Sequence, residues 1–212
     1  MQFCAPDRSR EKTAGAPDAA IPCFREAIDD LRAFGADGIA NWFEQDLLFV
    51  MPMTPDDAVD FCRTLLARVR PGDMLADLMT SLAVYHLLFA LAERGEPSDL
   101  DEAIDLYRRQ YRRLTPGMGR SFAIGAMAKV VFRQGRLREA AMLFAYSTAA
   151  VTSSGQDGWY RDPTPLRDAL ALAVAPADLD AWMAAGAKLS EEDALMLPLE
   201  EAASPAVAFK AP

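Results

Sequence analysis

The sequence predicts an all-α protein, built as an array of about ten helices stacked as antiparallel hairpins in an α-solenoid. Apolar residues recur at helical spacing along the chain, and no convincing run alternates with the period of a strand. Several segments start at helix-capping residues and end at Gly or Pro. Two stretches also share one order of residues, with four positions from Ala to the aromatic in both: Gly95, Ala103, Tyr107 and Gly135, Ala140, Phe144.

The first part of the chain predicts a disordered lead-in and three helices. Residues 1–17 are rich in charged and small side chains, which is typical of a disordered segment. Gly35 is suited to end the first helix as a left-handed cap, and Pro52 stops the second. Thr54, followed by Pro and by Asp57, starts the third, because a hydroxyl cap and early negative charge both favour a helix N-terminus. The predicted helices span residues 19–34, 39–50 and 55–69.

The remaining helices are predicted from the same signals. Ser98 is expected to cap one of them, with Asp101 completing a box-like cap. Residues 153–163 form a polar connection, Ser190 caps the last helix, and residues 204–212 form a frayed tail. The predicted helices span residues 74–94, 100–114, 118–134, 137–152, 164–174 and 178–185, before the one that Ser190 caps.

Length and composition predict one domain. A chain of 212 residues, half of them apolar, can bury one compact core, which we place at residues 18–203. The clearest repeats are residues 74–116 and 118–152. A net charge of −9 argues against a nucleic-acid partner bound through phosphate contacts.

Cysteine usage and hydropathy predict a cytoplasmic protein. Three cysteines without a CxxC pair suggest neither a disulfide framework nor a zinc knuckle, which fits a reducing cytosol. The N-terminus has no apolar run of the kind found in a signal peptide. Residues 74–92 are the longest mainly apolar stretch, but polar residues interrupt it, so we predict a core helix and no membrane association.

The repeated Gly–Ala–aromatic spacing resembles that of tetratricopeptide repeats. The C-terminal half is similar to the helical region that ends bacterial signal-transduction ATPases and transcriptional regulators. That resemblance implies an α-solenoid that senses an effector or a partner. No GxxxxGK[ST] phosphate-binding loop and no DNA-binding half are evident, so the ATPase function is not expected. The residues carrying the similarity are Gly135, Arg136, Ala140 and Ala141; Leu166, Arg167, Ala169 and Leu170; Trp182 and Gly186; and Leu189, Ser190, Glu192 and Ala194.

The resemblance also implies where a partner would bind. In such arrays the first helix of each pair lines the concave face. Four residues would then project there from two consecutive pairs: Tyr85, Phe89, Lys129 and Arg133. Aromatic and cationic side chains together suit an acidic or amphipathic protein segment, or a small effector.

A basic stripe offers a second binding surface. It consists of two arginine pairs four residues apart on one predicted helix: Arg108, Arg109, Arg112 and Arg113. An acidic peptide or a phosphorylated ligand could dock there. The alternative is a solvated face balanced by Asp101 and Asp105 through helical-spacing ion pairs.

The sequence favours a non-catalytic protein without a metal or cofactor. His86 is the only histidine and lies in an apolar helix, which favours a packed side chain over a general base. Cys62, between apolar neighbours, is interpreted as a small buried hydrophobe. The acidic clusters fit helix starts and solvated faces, and the methionines fit core filling. A motifless helical enzyme, or a remnant of a larger regulator without an independent role, are the alternatives.

Overall fold

The computed structural model describes residues 17–51, 53–70, 75–155 and 164–200. Over these residues the chain is all-α, with ten α-helices, two short 3-10 segments and no strand, which confirms the predicted class and helix number. The helices are α1 (Pro17–Ala33), α2 (Asp37–Val50), α3 (Pro55–Arg68), α4 (Ala76–Arg94), α5 (Pro97–Gln110), α6 (Met118–Arg133), α7 (Leu137–Ser153), α8 (Thr164–Ala173), α9 (Pro176–Gly186) and α10 (Glu191–Met196). The 3-10 segments are Tyr111–Arg113 and Leu197–Leu199.

Local capping chemistry starts and ends several of these helices as predicted. The hydroxyl oxygen of Thr54 accepts a hydrogen bond from the backbone N–H of Asp57 at 3.2 Å, and Ser190 does the same for Asp193 at 3.1 Å. Gly35 follows α1 with a φ of +74°, a left-handed conformation that glycine adopts without steric cost. These three helix ends are therefore set by residues adjacent to them in sequence.

The predicted cap of α5 is wrong. The helix begins at Pro97 with Glu96 as its N-cap, so Ser98 lies inside the first turn. Proline at the first helical position needs no N–H partner and favours this earlier start. The helix also ends at Gln110, before the predicted 114, and continues as the 3-10 segment.

Three predicted segments lie wholly or largely outside the described residues. Of the lead-in at residues 1–17, the structure describes Pro17, which belongs to α1. The tail at residues 204–212 is outside the description, as is most of the connection at residues 153–163.

Two helices form the centre of the core. Every residue from 81 to 88 on α4 and from 121 to 128 on α6 is buried. Helix α4 packs against α3, α5 and α6, while α6 packs against α4 and α7, and α7 also contacts α9. Ala103 and Ala140 are both fully buried.

Helix α4 is long and apolar enough to cross a membrane by length and composition. However, 67% of its most apolar window is buried inside the protein, as in the core helix of a soluble domain. Its neighbours α3, α5 and α6 supply that cover. The helix therefore fits the predicted role of a core element.

The C-terminal elements are fastened to the centre by polar contacts. The hydroxyl of Tyr107 donates to the backbone carbonyl of Leu195 at 3.1 Å. The guanidinium of Arg136 donates to the carbonyls of Leu197 and Pro198, each at 3.0 Å. Helix α10 and the following 3-10 segment thereby close over α5, α6 and α7.

Candidate binding surfaces

Tyr85 does not lie on a surface, contrary to the sequence prediction. Its side chain is 1% exposed, and its ring centroid lies 5.3 Å from that of Phe122 on α6 and 4.7 Å from that of His86. Helix α4 has neighbours on several sides, so the face expected to line a concave surface is covered at this turn. Tyr85 is therefore a core residue.

Phe89 and Lys129 do come together, because α4 and α6 pack side by side. The Lys129 Nζ lies 4.3 Å from the centroid of the Phe89 ring, within the range of a cation–π contact. The same ammonium group forms an ion pair with Glu93, one turn beyond Phe89 on α4. Glu93 is not among the residues that the sequence indicated, although its four-residue spacing from Phe89 places the two on one helical face.

Arg133 lies one turn beyond Lys129 and is exposed. Its Nε and Cζ would lie 3.7 and 3.8 Å from a Cβ atom at Gly95, so the side chain passes over the turn between α4 and α5. We call Phe89, Glu93, Lys129 and Arg133 the α4/α6 surface. Its aromatic and lysine groups are engaged with each other, whereas the arginine extends toward solvent.

The basic stripe is not a continuous helical face. Arg108 and Arg109 belong to α5, whereas Arg112 and Arg113 belong to the 3-10 segment. Arg108 pairs with Asp105 at 2.6 Å, as the alternative of a balanced solvated face proposes. The Arg112 guanidinium lies 5.5 Å from the centroid of the Tyr111 ring and donates to its hydroxyl at 2.9 Å.

A groove runs between α1, α2 and α3, where no sequence motif indicates a site. It consists of two adjoining clefts of about 320 and 310 Å³, which share Glu44, Met53 and Phe61. We call it the α1–α3 groove. The first cleft is completed by Asp57, Asp60, Thr64, Leu65 and Arg68, and the second by Arg25, Ile28, Asp29, Arg32, Leu47 and Met51.

Glu44 organises the charges in the middle of this groove. Its Oε2 atom accepts hydrogen bonds from Arg32 of α1 at 2.5 Å and from Arg68 of α3 at 2.8 Å. The Glu44 side chain is 15% exposed, so one largely buried carboxylate of α2 links α1 and α3. The methionines, predicted as core filler, fall into two groups. Met79 and Met127 are buried in the core, whereas Met51 and Met53 are partly exposed and line the groove.

The side chains considered for catalysis are packed in the core. His86 is 1% exposed and Cys62 is fully buried, as expected for packed side chains. Neither belongs to the residues that line the two clefts. Within the described ranges, no three His, Cys, Asp or Glu residues gather as a group that could hold a metal ion.

Comparison of the chain with protein-family models, with curated proteins and with solved structures finds no match. Function is therefore inferred from the chemistry of the described surfaces.

Proposed function

We propose that this chain is a non-catalytic, cytoplasmic helical array of the tetratricopeptide-like kind, which binds an acidic segment of another protein on its α4/α6 surface. The observation that carries the proposal is the juxtaposition of Phe89 with Lys129, and of Arg133 beside them, on two helices that pack side by side. Direct packing of the first helices of consecutive hairpins is the arrangement by which stacked repeats build a continuous binding face.

The residues of the α4/α6 surface would contribute different interactions to binding. Phe89 is partly exposed and offers apolar area, while Glu93 offsets the charge of Lys129. Arg133 is exposed and supplies planar N–H donors that match a carboxylate in a bidentate geometry. An acidic residue of the partner would therefore pair with Arg133, and an apolar neighbour would cover Phe89.

Affinity capture followed by direct binding tests the proposal. A protein captured from lysate with the intact chain is purified, and its affinity is measured for the original protein and for Arg133→Glu. Charge reversal should weaken binding at least about tenfold, since it replaces an attractive contact by a repulsive one. Circular dichroism should show unchanged helicity, because Arg133 is exposed.

Two further variants make the result specific. Arg167→Glu reverses an exposed arginine on α8 and controls for net charge, so it should leave the affinity within about twofold. Arg109→Glu with Arg113→Glu tests the basic stripe. If that pair of changes abolishes binding while Arg133→Glu leaves it intact, the α4/α6 surface is not the site.

A further inference from the structure

The α1–α3 groove is separate from the α4/α6 surface and has a different chemical character. We propose that it binds an amphipathic segment of a partner protein, with apolar side chains on the groove floor and a basic side chain beside Asp57 and Asp60. This site is independent of the proposed function, because none of its lining residues belongs to the α4/α6 surface.

The floor of the groove suits an apolar anchor of variable shape. Met51, Met53 and Phe61 are all partly exposed there, and Ile28 and Leu47 lie buried beneath the second cleft. Methionine is unbranched and polarizable, so a methionine-lined surface adapts to different apolar partners.

The length of the groove matches a short helical segment. The lining residues Asp57, Phe61, Leu65 and Arg68 recur at spacings of four, four and three along α3, so they share one face of that helix. At 1.5 Å per residue, this face extends about 16 Å, or about three helical turns. A helix laid into a groove anchors itself at such spacings.

The charges of the groove select the partner. Asp57 and Asp60 are exposed at the N-terminal end of α3, with the Asp60 side chain 82% exposed. The nearby Arg63 pairs mainly with Glu102, at 2.7 Å, against 3.7 Å for its contact with Asp60. This end of the groove therefore presents carboxylates to solvent, and a Lys or Arg of the partner complements them.

Toward the C-terminal end of α3, the charges that line the groove are balanced by the protein itself. Arg32 and Arg68 both donate to Glu44, which leaves two guanidinium groups around one carboxylate. A partner helix antiparallel to α3 would bring its basic C-terminal turn to Asp57 and Asp60, and its acidic first turn to the arginines. That charge order is the one a helix dipole favours.

A second copy of this chain is a poorer occupant than a basic segment. Each copy carries a net charge of −9, so self-association would bring more negative charge to the carboxylate end. The test therefore includes self-association as an outcome that would reassign the groove.

A pair of designed peptides tests the proposal. Both are fluorescein-labelled helices of about 14 residues, long enough for the groove face, with one leucine face. One carries lysines in its last turn and the other carries glutamates at the same positions. Fluorescence anisotropy with the full chain should show at least about tenfold tighter binding of the lysine peptide at low salt, and a smaller advantage at high salt.

Matched variants of the protein assign this preference to the groove. Asp57→Asn with Asp60→Asn should weaken lysine-peptide binding about threefold to tenfold, as the loss of two exposed ion pairs predicts. Asp178→Asn with Asp180→Asn removes the same charge from α9 and should change the affinity less than about twofold. Arg133→Glu should also leave it unchanged within that range, which separates this proposal from the α4/α6 surface.

The apolar part of the site is tested by Met53→Ala, with thermal unfolding to confirm that the variant is folded. The lysine peptide should bind at least about fivefold more weakly, because apolar contact area is lost. Equal affinity for both peptides, no measurable binding of either, or equal losses in the two Asp double variants would overturn the proposal. A dimer in sedimentation velocity that Met53→Ala dissociates would assign the groove to a second copy and overturn it as well.

Discussion

At the residue scale, Arg94 joins α4, α5 and α3 through hydrogen bonds to two carboxylates. Arg94 donates from Nε to Asp99 at 2.9 Å and from Nη1 to Asp56 at 3.0 Å, and its other Nη group also bonds Asp99. The Asp99 side chain is 5% exposed, whereas that of Asp56 is 79% exposed. The buried carboxylate is therefore the partner that matters for stability.

Replacing this carboxylate should destabilise the fold. Asp99→Asn keeps the shape of the side chain but removes its charge, and we expect the free energy of unfolding at pH 7 to fall by about 1–3 kcal/mol. Urea denaturation measures the change. Asp105→Asn is the control, because its ion pair with Arg108 is exposed and should contribute less than about 1 kcal/mol. Equal losses in both variants would show that burial of Asp99 has no special effect.

The same contact predicts a pH dependence. The hydrogen bonds from Arg94 hold the pKa of Asp99 below its ordinary value of 3.8. A carboxyl whose pKa is depressed by folding contributes stability above its unfolded pKa and loses it as the pH falls through the folded pKa. The stability difference between the original protein and Asp99→Asn should thus be full at pH 7 and shrink below about pH 4. A constant difference down to pH 2 would contradict the assignment.

At the element scale, α9 approaches α7 very closely at Gly186. A Cβ atom added at Gly186 would lie 2.2 Å from the backbone oxygen of Met142 and 2.5 Å from its Cα. Backbone atoms cannot move aside as the end of a flexible side chain can. Glycine is therefore required at this position by helix packing.

Gly186→Ala should loosen α9 from α7. Because the new methyl group meets backbone, we expect a loss of about 1–3 kcal/mol or more in the free energy of unfolding. Chemical denaturation followed by circular dichroism measures it. Ala185→Ser, at the exposed neighbouring position, should change the stability by less than about 0.5 kcal/mol. An unchanged midpoint for Gly186→Ala would show that the two helices are not in such close contact.

The sequence predicts a helix end correctly where the interaction that sets this end involves residues close in sequence. Thr54, Ser190 and Gly35 act within one turn of their own position, so sequence alone was sufficient for them. The prediction for Ser98 is wrong because proline at position 97 and the ion pair of Asp99 with Arg94 favour an earlier start of α5. The ion pair joins two helices, so it is a tertiary contact, and a local capping pattern in the sequence cannot reveal it.

The candidate sites were less predictable, because they depend on which helices become neighbours. Tyr85 was assigned to a surface, but residues 81–88 are buried throughout, and a helix that is apolar on all sides is expected to be enclosed. Phe89 and Lys129 lie in contact, because α4 and α6 pack side by side. The α1–α3 groove went unnoticed because three separate helices contribute to it.

At the scale of the whole molecule, the described helices differ in how strongly they are held. Helices α4 and α6 are buried over eight consecutive residues each, whereas α8 buries Leu170 alone and exposes 91% of Leu172. Local opening costs least free energy where few apolar contacts are lost. Amide exchange should therefore be slowest at residues 81–88 and 121–128 and fast along α8.

The C-terminal elements should open separately from this centre. Tyr107 and Arg136 hold residues 195–198 through three hydrogen bonds to backbone carbonyls. A variant with Tyr107→Phe and Arg136→Ala loses all three, and each such bond contributes about 0.5–1.5 kcal/mol. Since 1.4 kcal/mol corresponds to a factor of ten, amide exchange at residues 194–199 should accelerate at least about tenfold.

Hydrogen exchange measured by mass spectrometry distinguishes the two possible behaviours of this variant. If residues 194–199 open as a separate unit, the exchange rate at residues 81–88 stays within about twofold of that in the original protein. The reason is that α4 keeps its contacts with α3, α5 and α6. Arg167→Ala, an exposed change on α8, controls for the loss of an arginine. Equal acceleration at residues 194–199 and 81–88 would instead show that the C-terminal helix unfolds with the core as one cooperative unit.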